Sequence, residues 1–324
     1  MIEILSPGLS TTVQDTRERL GLAELGIHVG GTLDHYSATA ANLLVGNDVQ
    51  DAVLEAAYVA PSFVVHADAS MAVTGGSVDV VVSGEHFDSW RTVHLHVGDV
   101  VELGPSREAP RIYVAFSGGV DVPLVHGSRS TNLLGRFGGF EGAALRKGDR
   151  LPLGEGDSRP STLMVRDEHR LAARRRVAIH VVPVEPDDRL SPESFREFFS
   201  ADWTVTPSSD RTGVRFSGPT MTWRRREQPF GAGPDLSNTV DAGYPLGSIQ
   251  IPGGSGPILL HRDGPTMGGY AVVGVVARAD LDLAAQRMPQ SVVRFSQTTR
   301  DEALAMWDQY RSELAALPEL LVNT

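Results

Sequence analysis

Short apolar runs separated by glycine turns dominate the first half of the chain. The stretches Met71–Gly84 and Thr92–Gly104 alternate apolar and polar residues on both sides of a turn pair. The turn pairs are Gly75-Gly76 and Gly98-Asp99. This pattern predicts two β-hairpins in an N-terminal region that is mostly strand.

Two short helices interrupt the strand pattern. Asp34 is placed to cap a helix over Ala38–Val45, which is followed by a Gly-Asn stop signal. In Ser191–Ser200, the serine is the predicted N-cap and Pro192 occupies the first helical position. Both predictions rest on the preference of Asp and Ser for N-caps and of Pro for the first turn.

The C-terminal half returns to apolar runs and closes with a longer helix. Val177–Val184 is typical of a buried strand, and Thr299–Leu317 of a helix with packing positions Leu304, Trp307 and Leu314. No long helices alternate with the strands, so a doubly wound parallel fold is disfavoured. We predict a mainly β fold with short helices (α+β).

A chain of 324 residues exceeds the usual size of one hydrophobic core. The stretch 156–176 is rich in Gly, Pro and charge, without a clear period. We therefore expect a β-rich domain over 1–155, a linker over 156–176 that contains the arginine run Arg170–Arg176, and a second β-rich domain with a terminal helix over 177–324.

The net charge is −11 and the sequence pI is about 5.4. An acidic chain argues against nucleic acid or an anionic membrane as the main partner. The absence of cysteine excludes a thiolate nucleophile and a cysteine-ligated metal, and it fits the reducing cytoplasm. No secretory signal is predicted over Met1–Asp15.

Common cofactor motifs are missing. His94 and His96 share one face of a strand, but no third ligand follows at a useful spacing, so we expect no metal. The glycine-rich stretches lack the lysine of a phosphate-binding loop. Lys147 is the only lysine and does not lie between methionines, so biotin, if it is used, arrives on another protein.

Three polar, glycine-rich stretches stand out: Gly118–Leu151, Ser208–Phe216 and Gly247–Tyr270. With the opening strings "PGLSTTVQD" and "LDHYSATAANLLVGN", they occur in the order typical of one family. The chain resembles the family known as allophanate hydrolase subunit 2, the C-subunit of 5-oxoprolinase, or biotin-dependent carboxyltransferase. It is also similar to Kip-type proteins that antagonise a kinase inhibitor.

The resemblance implies a cyclophilin-like barrel in the C-terminal domain and a companion chain, the Kip-inhibitor-like allophanate hydrolase subunit 1. It implies a heteromeric hydrolase or carboxyltransferase acting on a lactam or ureido substrate, dependent on ATP in the complex or on carboxybiotin. The alternative is a non-catalytic regulator that sequesters the companion. Prolyl isomerase activity would rest on fold analogy alone.

The stretch "RDGPTMGGY" supplies the candidate catalytic residues: Asp263, Thr266, Gly268, Gly269 and Tyr270. Glycine N–H groups can approach a developing oxyanion, Asp263 can orient a substrate amide or act as a base, and Tyr270 can supply a hydroxyl. A tight turn capped by the aspartate is the structural alternative.

The candidate substrate-binding residues are Arg211, Asp210, Gln250, Arg129 and Ser130. Arg211 suits a bidentate grip on a carboxylate, with Asp210 orienting it, and Arg129 is a second carboxylate-binding candidate. The alternatives are a surface ion pair, a structural amide and a loop whose hydroxyls satisfy backbone groups.

The third stretch departs from the family pattern Asp-Arg-Gln-Thr-Thr-Gly-Gly-Tyr-Pro-Lys. Gly264-Pro265 replaces Arg-Gln, Met267 replaces a threonine, and Ala271-Val272 replaces Pro-Lys. A cation and an amide are therefore missing where an anionic substrate is expected, which favours the regulatory alternative.

Overall fold

Antiparallel β-structure forms most of the regular structure of the protein. The computed structural model describes residues 1–170, 178–184, 189–253 and 255–324. The strands are β1 (Ile2–Ser6), β2 (Thr12–Gln14), β3 (Val53–Ala57), β4 (Ser62–Val65), β5 (Ala69–Gly75), β6 (Val80–Val82), β7 (Glu85–Phe87), β8 (Thr92–Leu95), β9 (Val100–Leu103), β10 (Arg111–Phe116), β11 (Arg150–Leu151), β12 (Leu163–Val165), β13 (Ala178–Pro183), β14 (Trp203–Val205), β15 (Gly213–Ser217), β16 (Asn238–Gly243), β17 (Ser248–Gln250), β18 (Ile258–Leu260), β19 (Met267–Tyr270), β20 (Val272–Val276), β21 (Val292–Gln297) and β22 (Leu321–Asn323).

The helices are short apart from the last one. The α-helices are α1 (His35–Leu44), α2 (Pro192–Ser200), α3 (Leu281–Ala285) and α4 (Arg300–Ala316), and short 3₁₀ turns occur at Ala23–Leu25, Asp167–His169, Arg278–Asp280 and Leu317–Leu320. Among the described residues, no helix is long and apolar enough to cross a membrane.

The chain forms two compact units. The first contains Met1–Arg19, Gly30–Arg175 and Glu313–Thr324, and the second contains Leu20–Val29 and Arg176–Ser312. The predicted domain bounds (1–155, 156–176 and 177–324) stay a prediction. Part of the predicted linker, most of the run Arg170–Arg176, and Val177 lie outside the described residues.

The first unit is built on two antiparallel sheets with one shared core. Their strand orders are β11-β1-β4-β9-β6-β7 and β2-β3-β10-β5-β8. Phe63 of one sheet meets Phe116 of the other edge to face, with ring centroids 5.3 Å apart. Strands β5 and β10 are buried along their whole length because α1 also packs on them. The N-cap prediction at Asp34 is confirmed, since its carboxylate accepts the Ser37 N–H.

Both predicted hairpins are wrong. Strand β5 is hydrogen-bonded to β10 on one side and β8 on the other, so β6 joins the other sheet and pairs with β7 and β9. Likewise β8 and β9 belong to different sheets. The turns at Gly75-Gly76 and Gly98-Asp99 therefore carry the chain from sheet to sheet. Strand β5 already has β10 and β8 on its two edges, and β9 has β4 and β6 on its own.

The second unit contains a closed barrel in the order β13-β20-β17-β18-β15-β14-β21, and a separate ribbon of β16 and β19. Phe198 of α2 stacks on Phe295 in the barrel core, with centroids 4.7 Å apart. Helix α2 begins at Pro192 and is capped by Ser191, as predicted. The expected mainly β class with a C-terminal barrel is thus confirmed.

Helix α4 differs from its prediction at one packing position. Leu304 is half exposed (52%), whereas Tyr310 is buried. Trp307 stacks on Tyr310 with ring centroids 5.4 Å apart. Leu304 is therefore not a packing position of this helix, whereas Tyr310 is.

Candidate functional site

A buried ion pair joins two of the candidate residues in the second unit. Asp263 follows β18 and Arg211 precedes β15, and the register Gly213↔Leu260 brings these two loops to the same end of the strand pair. Arg211 donates from Nε to Asp263 Oδ2 (2.7 Å) and from Nη2 to Oδ1 (2.9 Å). The Asp263 N–H also donates to the Arg211 carbonyl, at 3.1 Å. The sequence-predicted bidentate grip exists, but it is made on Asp263.

His28 is the third member of this set. Its Nδ1 lies 3.4 Å from Asp263 Oδ1, and its side chain is only 5% exposed. This separation is an ion-pair distance, longer than an ordinary hydrogen bond. Sequence reasoning missed His28, because a single histidine in "GIHVGG" has no local signal that connects it to Asp263.

Asp210 has a different role from the one expected. Its Oδ1 accepts the backbone N–H groups of Thr212 (2.8 Å) and Gly213 (3.2 Å). The carboxylate thereby caps the turn that leads into β15, as Asp commonly does through hydrogen bonds to residues just ahead of it. The role of orienting Arg211, expected for Asp210, is filled by Asp263.

Tyr244 fixes the ribbon that carries Tyr270. Its hydroxyl accepts the Tyr270 N–H at 2.7 Å and donates to the Tyr270 carbonyl at 2.9 Å. Its own N–H donates to the Thr266 carbonyl at 2.8 Å. Burial raises the pKa of Tyr244 above its ordinary value. Tyr270 is 42% exposed, and its hydroxyl makes no hydrogen bond within the described residues.

Packing explains why residue 268 is a glycine. A Cβ at Gly268 would lie 2.8 Å from Cε2 of Tyr244, so any larger residue would displace that ring. A Cβ at Gly269 would lie 3.1 Å from both Asp241 Oδ1 and the Thr239 carbonyl. The two glycines thus permit the close approach of neighbouring groups in the ribbon.

Gln250 is located away from the ion pair. It is buried in β17, where it pairs with Ile258 at the start of β18. Asp263 lies beyond the other end of β18. The register therefore places Gln250 at the end of the strand pair opposite to Asp263.

Arg129 and Ser130 belong to the first unit, where they surround a buried carboxylate. Asp15 is fully buried and accepts the hydroxyls of Ser128 (2.6 Å) and Ser130 (2.7 Å) through Oδ1. Its Oδ2 accepts the Arg129 N–H at 2.8 Å. Arg129 Nε donates to the Val122 carbonyl at 2.8 Å. These contacts match the alternative of a hydrogen-bonded loop, with Asp15 as its centre.

A buried arginine stabilises the same loop. Arg19 is 2% exposed, and it donates to the carbonyls of Val125 (3.1 Å) and Ser130 (2.5 Å). Its guanidinium lies 5.1 Å from the ring centroid of Phe137. Sequence reasoning named neither Asp15 nor Arg19 as a site residue. The signal available was the opening family string "PGLSTTVQD", which ends at Asp15.

The described residues contain no cluster of three or more His, Asp or Glu side chains that could hold a metal ion. His94 instead contacts the Ser70 hydroxyl through Nδ1, at 2.8 Å. His96 is more than half exposed and lies 3.9 Å from Asp68.

The barrel of the second unit and its separate ribbon lie within the region that a carboxyltransferase family model matches. The family model "Carboxyltransferase domain, subdomain A and B" matches residues 25–297. The chain belongs to this family.

Two relatives are similar over nearly the whole chain. A urea amidolyase of Saccharomyces cerevisiae is 34% identical over 91% of this chain, which corresponds to 16% of that protein. The C-subunit of 5-oxoprolinase from Escherichia coli is 32% identical over 96% of both chains. The chain therefore spans about one-sixth of the amidolyase and nearly all of the oxoprolinase component.

Solved structures give the same result. The crystal structure of the K. lactis urea amidolyase matches with a TM-score of 0.88 and 29% identity, over 98% of this chain and 20% of that one. The Kluyveromyces lactis urea carboxylase matches with a TM-score of 0.85 and 28% identity, over 98% of this chain and 29% of that one.

Proposed function

We propose that this chain is one component of a heteromeric, ATP- or carboxybiotin-dependent hydrolase or carboxyltransferase that acts on a lactam or ureido substrate. The observation that carries the proposal is the buried set of Arg211, Asp263 and His28. The relatives support it, since one is a urea amidolyase and another is a component of 5-oxoprolinase.

The geometry favours His28 as the proton carrier and Asp263 as its positioning residue. Both hydrogen bonds from Arg211 hold the Asp263 carboxylate in place, and that carboxylate lies beside His28 Nδ1. A fixed carboxylate orients an imidazole and stabilises its protonated form. Each proposed reaction places negative charge on an oxygen of a carbonyl or carboxyl carbon, and a proton donor at that oxygen lowers the barrier.

The ribbon supplies groups for substrate contact. The Tyr270 phenol is exposed, and Thr266 is half-buried at the start of the ribbon. Neither hydroxyl makes a hydrogen bond within the described residues, so both are available to a ligand. In this proposal Arg211 does not bind the substrate carboxylate, because one edge of its guanidinium is occupied by Asp263.

Packing accounts for the glycines in the glycine-rich loop of this chain. A Cβ at Gly139 would collide with the Thr131 side chain, and one at Gly138 would collide with the Ser130 carbonyl. These glycines therefore serve packing on the Ser128–Thr131 segment, and no lysine stands beside them. We assign ATP to another component of the complex, together with any biotin.

The companion expected from the resemblance, a chain like allophanate hydrolase subunit 1, is part of the proposal. The test is to co-express both chains, add the biotinylated partner, and measure ATP-dependent turnover of 5-oxoproline and of ureido compounds. His28→Asn should lower kcat by roughly 10²-fold or more, as expected for the loss of a general acid–base group. Asp202→Asn, which breaks the exposed pair with Arg294, is the matched control.

One observation supports the regulatory alternative: the cation and the amide of the family pattern are missing next to Asp263. If the complex forms but the wild type turns over none of these substrates, catalysis is refuted. A complex that survives both Asp263→Ala and Arg211→Ala would then support sequestration of the companion.

A further inference from the structure

A cleft of about 460 Å³ opens on the second unit at the end of β15 away from Asp263. Its described walls come from residues 206, 208, 215–221, 223, 251, 252, 255, 256 and 258. This volume lies within the range of small-molecule sites, about 300–1,000 Å³. The register Arg215↔Ile258 places the cleft at the opposite end of the β15–β18 pair from the loops of Arg211 and Asp263.

Arg215 is the only charged side chain among the described residues that line this cleft. It is half-buried, and its guanidinium makes no hydrogen bond or ion pair with the described part of the protein. Its backbone is held firmly: its N–H donates to Ser209 Oγ at 2.9 Å, and its carbonyl accepts the Thr206 N–H at 2.8 Å. A positive charge in a partly dry cleft is best satisfied by an anion.

The remaining wall is largely apolar. Met221 and Trp223 are half-buried against the barrel core, and Ile251 and Ile258 are buried. The Trp223 indole N–H makes no hydrogen bond within the described residues, so it offers a donor to a ligand. Aspartate and glutamate are absent from the described lining, so the cleft selects against cations.

Close packing gives the rim a fixed shape. A Cβ at Gly218 would lie 2.6 Å from the Trp203 ring, and one at Gly256 would collide with the Phe216 carbonyl. The Phe216 N–H also donates to the Pro257 carbonyl at 3.0 Å. The cleft is therefore preformed, which lowers the cost of binding a small ligand.

We propose that this cleft is a binding site for a small monocarboxylate with an aliphatic body, in which Arg215 pairs with the carboxylate and Trp223, Met221 and Ile258 contact the apolar part. The site is separate from the Arg211–Asp263–His28 set. Its occupation does not depend on whether that set is catalytic.

Trp223 provides the measurement. The chain contains four tryptophans, so the fluorescence of wild type and Trp223→Phe is compared during titration with N-acetyl-L-leucine, 4-methylpentanoate and their neutral amides. We expect saturable changes with both acids, roughly 10-fold weaker binding of the amides, and loss of the signal in Trp223→Phe. Calorimetry on Trp223→Phe checks that binding itself persists.

The role of the positive charge is tested with Arg215→Gln. This variant should bind the two acids only as weakly as the wild type binds their amides, and its affinity for the amides should be unchanged. Arg225→Gln removes an exposed charge of the same unit and should change nothing. Asp263→Asn should also leave carboxylate binding intact, which separates this site from the proposed function. Acids and amides binding equally, or an unchanged affinity in Arg215→Gln, would overturn the proposal. So would the absence of binding by both acids up to about 10 mM, the weak end of affinity for ligands of this size.

Discussion

Arg211 holds Asp263 through both nitrogens of one guanidinium edge, and each side chain is more than nine-tenths buried. Removal of one partner leaves the other charge buried without its counter-ion. Asp263→Ala should therefore lower the free energy of unfolding by about 3–5 kcal/mol, measured by urea denaturation.

A double variant separates the cost of one unpaired buried charge from the net contribution of the ion pair to stability. Asp263→Leu combined with Arg211→Met should be less destabilised than either single change, because neither charge then remains unpaired. Asp202→Ala, at an exposed ion pair, should have little effect. Additive single changes would show that the two side chains do not depend on each other.

Tyr244 and Tyr270 differ in what their hydroxyls do. Tyr244→Phe removes both hydrogen bonds to the Tyr270 backbone, so the Tyr270 amide should exchange with solvent roughly five-fold faster, as expected for the loss of about 1 kcal/mol. Tyr270→Phe should leave this exchange unchanged while lowering turnover in the complex. Equal exchange rates in the two variants would contradict this division of roles.

The loop that contains Arg129 and Ser130 depends on Asp15. Asp15→Ala leaves the hydroxyls of Ser128 and Ser130 and the Arg129 N–H without their acceptor. We expect a loss of about 3 kcal/mol or more in the free energy of unfolding, because each unsatisfied buried group costs about 1–3 kcal/mol. Asp157→Asn, an exposed position in the same unit, is the control, and denaturation followed by circular dichroism is the measurement.

The start of α4 should show a dependence on pH. Glu302 Oε2 accepts the Thr299 N–H at 2.8 Å, and Thr299 Oγ1 accepts the Glu302 N–H at 3.2 Å, which forms a capping box. Hydrogen bonds from Thr299 and Thr298 lower the pKa of Glu302 below its ordinary value of 4.5. A carboxyl whose pKa is depressed by folding contributes stability above its unfolded pKa and loses it as pH falls through the folded pKa.

Glu302→Gln should therefore melt at a lower temperature than the wild type at neutral pH, and this difference should vanish below the lowered pKa of Glu302. Glu319→Gln, at an exposed carboxyl beyond the end of α4, should show no such change with pH. A Glu302→Gln difference that persists unchanged in acid would refute the capping role of the charge.

Local sequence patterns predicted the helix N-caps correctly, but they could not predict which strands pair. Asp34 and Ser191 act on N–H groups three residues ahead, so the cap is visible within one short stretch. The partners of β5 are β10 and β8, and neither of these strands is next to β5 in the sequence. A turn such as Gly75-Gly76 looks the same whether it closes a hairpin or carries the chain to another sheet.

The candidate site could be predicted only in part, because local patterns identify residues but not their contacts with distant parts of the chain. The family pattern identified Asp263 and Arg211 but not their mutual contact, and it could not identify His28, which lies near the other end of the sequence. Gln250 and Asp263 belong to the same family stretch, Gly247–Tyr270, whereas the strand register separates them. Arg215 lies in the stretch Ser208–Phe216, but only the fold reveals its cleft.

Each unit contains segments from distant parts of the sequence, and this limits how the protein can be divided into fragments. The second unit takes in Leu20–Val29, and the first is completed by β22, which pairs with β12. A fragment that begins at residue 178 would therefore lack His28, and one that ends at residue 170 would lack the strand that pairs with Leu163–Val165. During synthesis on the ribosome, the first unit cannot be finished until Leu321–Asn323 has emerged.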